Sequence, residues 1–174
     1  MNALNRPCAQ VRFEDVQVGQ DLVALRKGPL TNAHLMRWSS TMENWHRIHY
    51  DQRYALEREN LPGLLINGSF KQQFIVQLLK DWAGREGWVW KTKFQFRAMD
   101  VVGATLEVWA RVTAKHQLPS YGLVELDLGI RNLDENGRES TPGSALVALP
   151  YAGGNRVPYP FVPPAQDPWK GVAK

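Results

Sequence analysis

Gly68-Ser69-Phe70-Lys71-Gln72-Gln73-Phe74-Ile75-Val76-Gln77-Leu78-Leu79-Lys80-Asp81-Trp82-Ala83-Gly84 is the stretch from which the fold is read. Phe70, Phe74, Ile75, Leu78, Leu79 and Trp82 recur along one side of a 3.6-residue period, the mark of an amphipathic helix. Lys71, Gln72, Gln77 and Lys80 lie off that stripe, and Gly84 is placed to end the helix, because glycine takes the left-handed C-cap conformation without a Cβ clash. So apolar a stripe needs a broad surface to cover it. The residues downstream supply one. Lys93 to Arg97 alternates in polarity, and so does Thr105 to Thr113, where Leu106, Val108, Ala110 and Val112 share a face. Val124, Leu126, Leu128 and Ile130 alternate with Glu125, Asp127, Gly129 and Arg131, and Ser144 to Leu149 makes a last strand. Period-two alternation predicts strands that each bury one face. Turn residues at 100–103, 118–122 and 134–137 separate neighbours closely enough to predict an antiparallel meander. The expected class is α+β, with one long central helix wrapped by a curved antiparallel sheet.

Working outward, Val11 to Asp21 holds a short strand-like piece followed by a turn at Val18-Gly19-Gln20. Thr31 and Asn32 offer N-caps for a short helix from Ala33 to Trp38. Gln52 to Glu59 predicts one or two helical turns that stop before Pro62-Gly63. Residues 1–10 carry no periodicity and are expected to be a flexible start, with the domain over 11–150. Six of the 11 prolines fall between Pro150 and Pro168, so 151–174 is expected to be a Pro-rich extended arm.

The formal charge is +4, but the basic residues are scattered and form no run, which argues against a nucleic-acid partner. Cys8 is the only cysteine, which excludes an intrachain disulfide and a cysteine-based metal site. No apolar run approaches the roughly 20 residues needed to span a bilayer, and the first residues lack the layout of a secretory signal, so a cytoplasmic location is expected. No Gly-rich phosphate loop or dinucleotide fingerprint is present, and Ser39, Ser40 and Ser69 sit in no nucleophile elbow. No cofactor is expected.

One segment fits no structural period. Asn44-Trp45-His46-Arg47-Ile48-His49-Tyr50-Asp51 mixes polar, basic and aromatic side chains that neither a strand nor a helix asks for. His49 is a candidate acid/base, since imidazole titrates near working pH; the alternative is a buried histidine bonded to a backbone carbonyl. Asn44 can hold a water or simply cap a turn. His46 is a second titrating group, and Arg47 either meets an anion or lies on the surface. His46, His49 and Asp51 also form an H-x-x-H-x-D cluster, but the charge of Arg47 between them opposes a divalent ion.

The order of these parts, with several motifs, resembles the MaoC-like hotdog-fold enoyl-CoA hydratases and dehydratases. Phe13-Glu14-Asp15-Val16-Gln17-Val18-Gly19 is similar to the family's opening F-x-D-hydrophobic-x-V-G. Phe94 to Gly103 resembles its strand and turn, and Pro62-Gly63-Leu64-Leu65-Ile66-Asn67-Gly68 resembles the segment that usually ends His-Gly at the helix start. The usual loop G-D-x-N-P-hydrophobic-H places His49 at the catalytic histidine and Asn44 at the position of the catalytic aspartate. Residues 44–55 resemble the branch that contains mesaconyl-CoA hydratase.

The resemblance implies a single hotdog fold and reversible hydration of a 2-enoyl-CoA or acyl-carrier thioester. It implies that His49 is the acid/base, Asn44 positions water, and the N–H of Gly68 binds the thioester oxygen at the positive end of the helix. His46, Arg47, Asn67 and Phe70 are expected to bind substrate. The acyl chain would run beside Phe70 and Phe74, and the coenzyme A phosphates would meet Lys71, Lys91, Lys93 or Arg97. Trp88, Trp90 and Trp109 either line a bulky pocket or fill sheet faces. A homodimer is implied, with no nucleic-acid or membrane partner. Two alternatives remain open. Asn44 in place of aspartate fits a non-catalytic acyl-CoA-binding subunit of a heteromeric hydratase. The fold also serves acyl-CoA thioesterases, although no carboxylate stands between Gly68 and Lys80.

Overall fold

In a computed structural model describing residues 10–169, the long helix is α3, Gly68–Ala83. Phe74, Ile75, Leu78, Leu79 and Ala83 are buried along its inner side, and Gly84 ends it at φ 70°. The helix lies on one five-stranded sheet made of β1 (Leu25–Lys27), β2 (Trp88–Phe94), β3 (Leu106–Gln117), β4 (Gly122–Asn132) and β5 (Arg138–Leu149). The sheet order is β1-β3-β4-β5-β2, and every pairing is antiparallel. Leu106, Val108, Ala110 and Val112 of β3 and Val124, Leu126, Leu128 and Ile130 of β4 turn into the same core as the helix. Each fully buried aliphatic side chain contributes about 1.5–3 kcal/mol, so the helix and sheet faces hold each other. No helix among the described residues is long and apolar enough to cross a membrane.

Several boundaries differ from those expected. Residues 11–21 form no strand: Phe13–Asp15 is a turn of 3-10 helix, and the region meets the sheet through an isolated bridge from Asp21 to Arg111 and a bond from the Gly19 N–H to the Val112 carbonyl at 2.8 Å. The short strand β1 instead follows it, at residues too few to show a period. Shorter helices α1, Asn32–Thr41, and α2, Gln52–Glu57, precede α3. The meander covers only β3, β4 and β5. The turn at 100–103 does not join neighbours, because β2 pairs with β5 and β3 with β1. The chain therefore crosses the end of the sheet between Phe94 and Leu106.

Ala145 to Leu149 is buried on both faces, since Ala145, Val147 and Leu149 meet the helix-side core while Leu146 and Ala148 meet a second apolar cluster. That cluster is roofed by the proline-rich segment. Phe161 stacks on Trp88 at 5.9 Å and lies 5.5 Å from Tyr121, and the Tyr121 hydroxyl donates to the Val162 carbonyl at 2.7 Å. Trp88 and Trp90 thus sit beneath this segment. Trp109 lies on the outer face, where it donates to Glu139 and stacks under Arg131. Of the expected loose start, residues 1–9 lie outside the described residues, as do residues 170–174.

The crossover loop is pinned from below. Lys71, 3% exposed, reaches Asp100, which has no exposed side-chain surface, at 2.9 Å. Its ammonium also donates to the Ala98 carbonyl at 3.3 Å. Lys71 therefore cannot serve the phosphate contact expected of it: its charge is spent inside the core. Lys91 is likewise paired, with Asp167. The second Asp100 oxygen accepts from Asn132 at 3.1 Å and faces Arg138 at 3.5 Å. Removing one partner of a buried pair typically costs about 3–5 kcal/mol. Lys71→Ala is expected to lose close to 3 kcal/mol, the low end, because Arg138 and Asn132 still attend Asp100; urea unfolding measures it.

Candidate active site

Loop 42–51 leaves the end of α1 and returns beside the start of α3. Glu43 ends α1 at φ 50°, and the Asn44 N–H donates to the Ser39 carbonyl at 2.9 Å. Asn44 Oδ1 then accepts from the His46 N–H at 3.2 Å, a local turn bond that asparagine is suited to make. The Tyr50 hydroxyl closes the loop by donating to the Trp45 carbonyl at 2.7 Å. Arg47 donates to Asp51 at 2.7 Å and lies 4.3 Å from the Tyr54 ring centroid. Asp51 in turn caps α2 through the Tyr54 N–H at 3.0 Å. Arg47 is therefore engaged within the loop.

His49 lies on a 3-10 turn, Arg47–His49, and is the buried member of it. Its Nδ1 is 2.9 Å from the Leu65 carbonyl. A carbonyl only accepts, so Nδ1 carries the hydrogen and, in the neutral ring, Nε2 holds the lone pair. Burial is the main influence on the ring and pushes its pKa below the ordinary histidine value. The bond to Leu65 partly offsets that effect, and the nearby His46 adds to it. His46 itself is exposed, with its ring centroid 6.2 Å from that of His49.

The same short stretch of chain carries the helix start. The Leu65 N–H donates to the Ile48 carbonyl at 3.0 Å, so the His49 turn is bonded on both sides of Leu65, three residues before α3. Asn67 is 1% exposed. Its Nδ2 lies 3.4 Å from Ser39 Oγ, while Oδ1 has no partner among the described residues. Whichever way round the amide lies, one polar end is left over. Such an orphan costs about 1–3 kcal/mol, and it calls for an explanation such as a ligand contact. The N–H groups of Phe70 and Lys71 bond back to the Asn67 carbonyl at 3.0 and 3.1 Å, which leaves those of Gly68 and Ser69 as the donors at the open end of a helix of 16 residues.

A Cβ on Gly68 would come within 2.8 Å of the Phe96 ring, so the absence of a side chain is what admits Phe96 there. Phe70 is held between Trp38, stacked at 4.9 Å, and Phe74 at 4.5 Å, and Trp38 Nε1 donates to Ser69 Oγ at 2.9 Å. The expected residues thus fall into one neighbourhood. Ser39 joins Asn44 to Asn67, and Leu65 joins His49 to the helix start. Arg47 is turned to Asp51 instead. Three contributors had no signal of their own in the sequence: the Leu65 carbonyl, the Ser39 hydroxyl and the Phe96 ring over Gly68. The Phe94–Gly103 motif came nearest to revealing the last.

A cavity of about 490 Å³ lined by Asp21, Trp109, Arg111 and Arg131 lies on the outer face of the sheet, away from this site. Arg111 there donates to Asp21 at 2.7 and 2.8 Å.

The fold and this arrangement define a hotdog protein with a histidine loop beside its central helix. An (R)-hydratase from A. caviae involved in PHA biosynthesis matches 79% of this chain and 99% of its own at 20% identity, with a TM-score of 0.68. A MaoC-like dehydratase from Rhodospirillum rubrum matches 82% and 98% at 18% identity, also with a TM-score of 0.68. Residues 10–104 match the family model of hydroxyacyl-thioester dehydratase type 2. The chain belongs to that family. Mesaconyl-C(4)-CoA hydratase of Chloroflexus aurantiacus is 37% identical over 51 residues, a stretch that spans 29% of this chain and 18% of that relative.

His49 is expected to titrate below the ordinary histidine value of about 6.5, and its neutral form to carry hydrogen on Nδ1. Nitrogen-15 correlation spectra over a pH series read both. A ring that titrates above that value, or that is protonated on Nε2 when neutral, would contradict the geometry.

Proposed function

We propose that the chain catalyses reversible hydration of a 2-enoyl thioester, carried on coenzyme A or an acyl carrier, at the site formed by His49 and the start of α3. The observation that carries this reading is the buried His49 ring, whose Nδ1 is fixed on the Leu65 carbonyl at 2.9 Å. The unshared pair on Nε2 is then the available base. Membership of a hydroxyacyl-thioester dehydratase family supports the same chemistry, and the 51-residue likeness to a relative from Chloroflexus aurantiacus that is named a hydratase agrees with it.

In the proposed hydration, Nε2 takes a proton from water as the oxygen bonds to C3. The C2–C3 π electrons move toward the thioester, and its oxygen becomes negative. The open N–H groups at the start of α3 meet that charge, as preorganised donors do at an oxyanion. The imidazolium then returns its proton to C2, and the thioester carbonyl re-forms. Asn44 cannot ionise, so its role is to orient the water, and one imidazole carries the proton both ways. Asn67 adds a polar contact through its unpartnered end, and Phe70 supports the acyl chain. His46 and Arg47 remain proposed substrate contacts at the exposed rim, where Arg47 would have to leave Asp51 to act. A homodimer is part of the same proposal, and sedimentation checks it.

The purified chain is expected to consume a 2-enoyl-CoA alone. His49→Ala is expected to lower kcat by about 10²–10⁴, the usual worth of a positioned acid/base. Because the base must be neutral, kcat/KM should rise with pH through the His49 pKa, below about 6.5, and then level. A single proton carrier predicts no second limb on the alkaline side from a catalytic acid. Asn44 also favours a second reading, a pocket-building subunit without catalysis of its own. An inactive isolated chain that supports turnover only with a different hotdog subunit, whether or not His49 is replaced, would establish that reading.

A further inference from the structure

Lys27 stands where the sheet otherwise points apolar side chains at the helix. It ends β1, whose register places Leu25 opposite Val108 and Lys27 opposite Leu106. Both partners are fully buried on the helix side. Arg26, between them, points the other way and pairs with Glu107 at 3.1 Å. Strand alternation therefore aims Lys27 inward with Leu25. Its ammonium lies 5.6 Å from the centroid of the Phe74 ring, and no carboxylate pairs with it among the described residues. The strand end is firmly held: the Leu30 N–H donates to the Ala104 carbonyl at 2.9 Å, and the Gly103 N–H to the Leu30 carbonyl at 2.6 Å.

This cation closes a row of rings. Trp38 stacks on Phe70, Phe70 meets Phe74 at 4.5 Å, and Lys27 lies over Phe74. The row begins beside the helix start, where Trp38 donates to Ser69, and advances six residues along α3 from Gly68. At 1.5 Å per residue that is about 9 Å. An acyl chain whose thioester oxygen meets the helix start and whose carbons follow the rings ends in front of an unneutralised ammonium. An apolar terminus gains nothing from such a group, whereas a carboxylate makes a charge-assisted hydrogen bond with it.

We propose that Lys27 is a specificity residue, and that the acyl group taken by this site is of medium length and ends in a carboxylate. The proposal rests on the hydratase reading above for the placement of the thioester. A phosphate of the thioester carrier is the wrong occupant for this position, because the carrier leaves the thioester in the direction opposite to the acyl chain.

The test compares pairs of trans-2-enoyl-CoA thioesters of equal chain length, one ending in a methyl group and one in a carboxylate, on the wild-type chain and on Lys27→Met and Lys27→Arg. Methionine keeps the apolar stem over Phe74 and removes the charge. The expected result is a wild-type preference for the carboxylate-ended member, expressed in kcat/KM. Lys27→Met should cut that preference about tenfold or more, the ordinary loss of a charged hydrogen bond, chiefly through KM, and Lys27→Arg should restore much of it. An unchanged preference in Lys27→Met overturns the proposal. So does an equal fall on both members, which would assign Lys27 to helix packing or to the carrier phosphate. If no enoyl thioester turns over, the hydratase reading fails separately, and calorimetric titration with the saturated thioesters of the same two kinds decides the question for Lys27. Tighter binding of the carboxylate-ended analogue that is lost in Lys27→Met upholds the anion site. Equal binding by the wild-type chain overturns it.

Discussion

The ion pair between Lys71 and Asp100, closed off from solvent at 2.9 Å, is the contact through which the two halves of the site are aligned. Lys71 lies in the first turn of α3, and Asp100 lies in the loop that crosses from β2 to β3. Their union holds that loop against the helix start. The backbone then follows: the Ile66 N–H donates to the Asp100 carbonyl, the Val102 N–H to the Leu64 carbonyl, and Leu65 bridges to Val101. Leu65 is also the residue whose carbonyl holds His49. An error in the loop would therefore pass through Leu65 to the imidazole, and through Phe96 to the space above Gly68. A buried pair seldom adds net stability over an apolar replacement. Its value here is geometric, because a charged pair has one acceptable arrangement and a set of aliphatic side chains has several.

What could be read from sequence follows from how far each signal reaches along the chain. The α3 stripe and the alternation of β3 and β4 repeat over many residues, and both appear in the structure where the periods place them. The three residues of β1 offer too few positions to show a period. The 3-10 turn at Phe13–Asp15 occupies residues that look equally like a strand. The crossover between β2 and β3 misled for a different reason: a turn signal reports that the chain bends, not which strand it meets next. Lys71 lies off the apolar stripe, yet it is buried, because a counter-charge 29 residues away supplies what solvent would otherwise give. Burial of a charge depends on its partner, and partners distant in sequence leave no local trace.

The loop 44–51 was legible for the opposite reason. Its residues suit no regular element, so their presence has to be explained by something other than packing. The structure accounts for part of it without chemistry: Asn44 closes a turn, Arg47 and Asp51 hold each other, and Tyr50 ties the loop to Trp45. Such internal bonds are what keep a loop rigid enough to carry a functional group. His49 alone is buried among them with one nitrogen bound and the other unassigned by the fold. A purely structural histidine would be equally content with the Leu65 carbonyl. For that reason the kinetic effect of removing the ring, and not the bond itself, separates the two readings.

Burial of His49 also bears on how a single group could perform both proton transfers. A lowered pKa makes the ring a weaker base, but it keeps the ring in its basic form at neutral pH, and the best catalytic pKa balances these two effects near the working pH. The same burial makes the imidazolium costly once formed. With an aspartate beside it, that cation would be stabilised and could persist. With the neutral Asn44 at the position that the family resemblance gives to aspartate, the bond to the Leu65 carbonyl offsets that cost in part, and His46 adds to it. In the proposed hydration the proton would therefore be held loosely and would pass on readily to the α-carbon as the negative charge at the start of α3 collapses. In that proposal, asparagine at the position of the family's aspartate would concentrate the whole proton path on one ring.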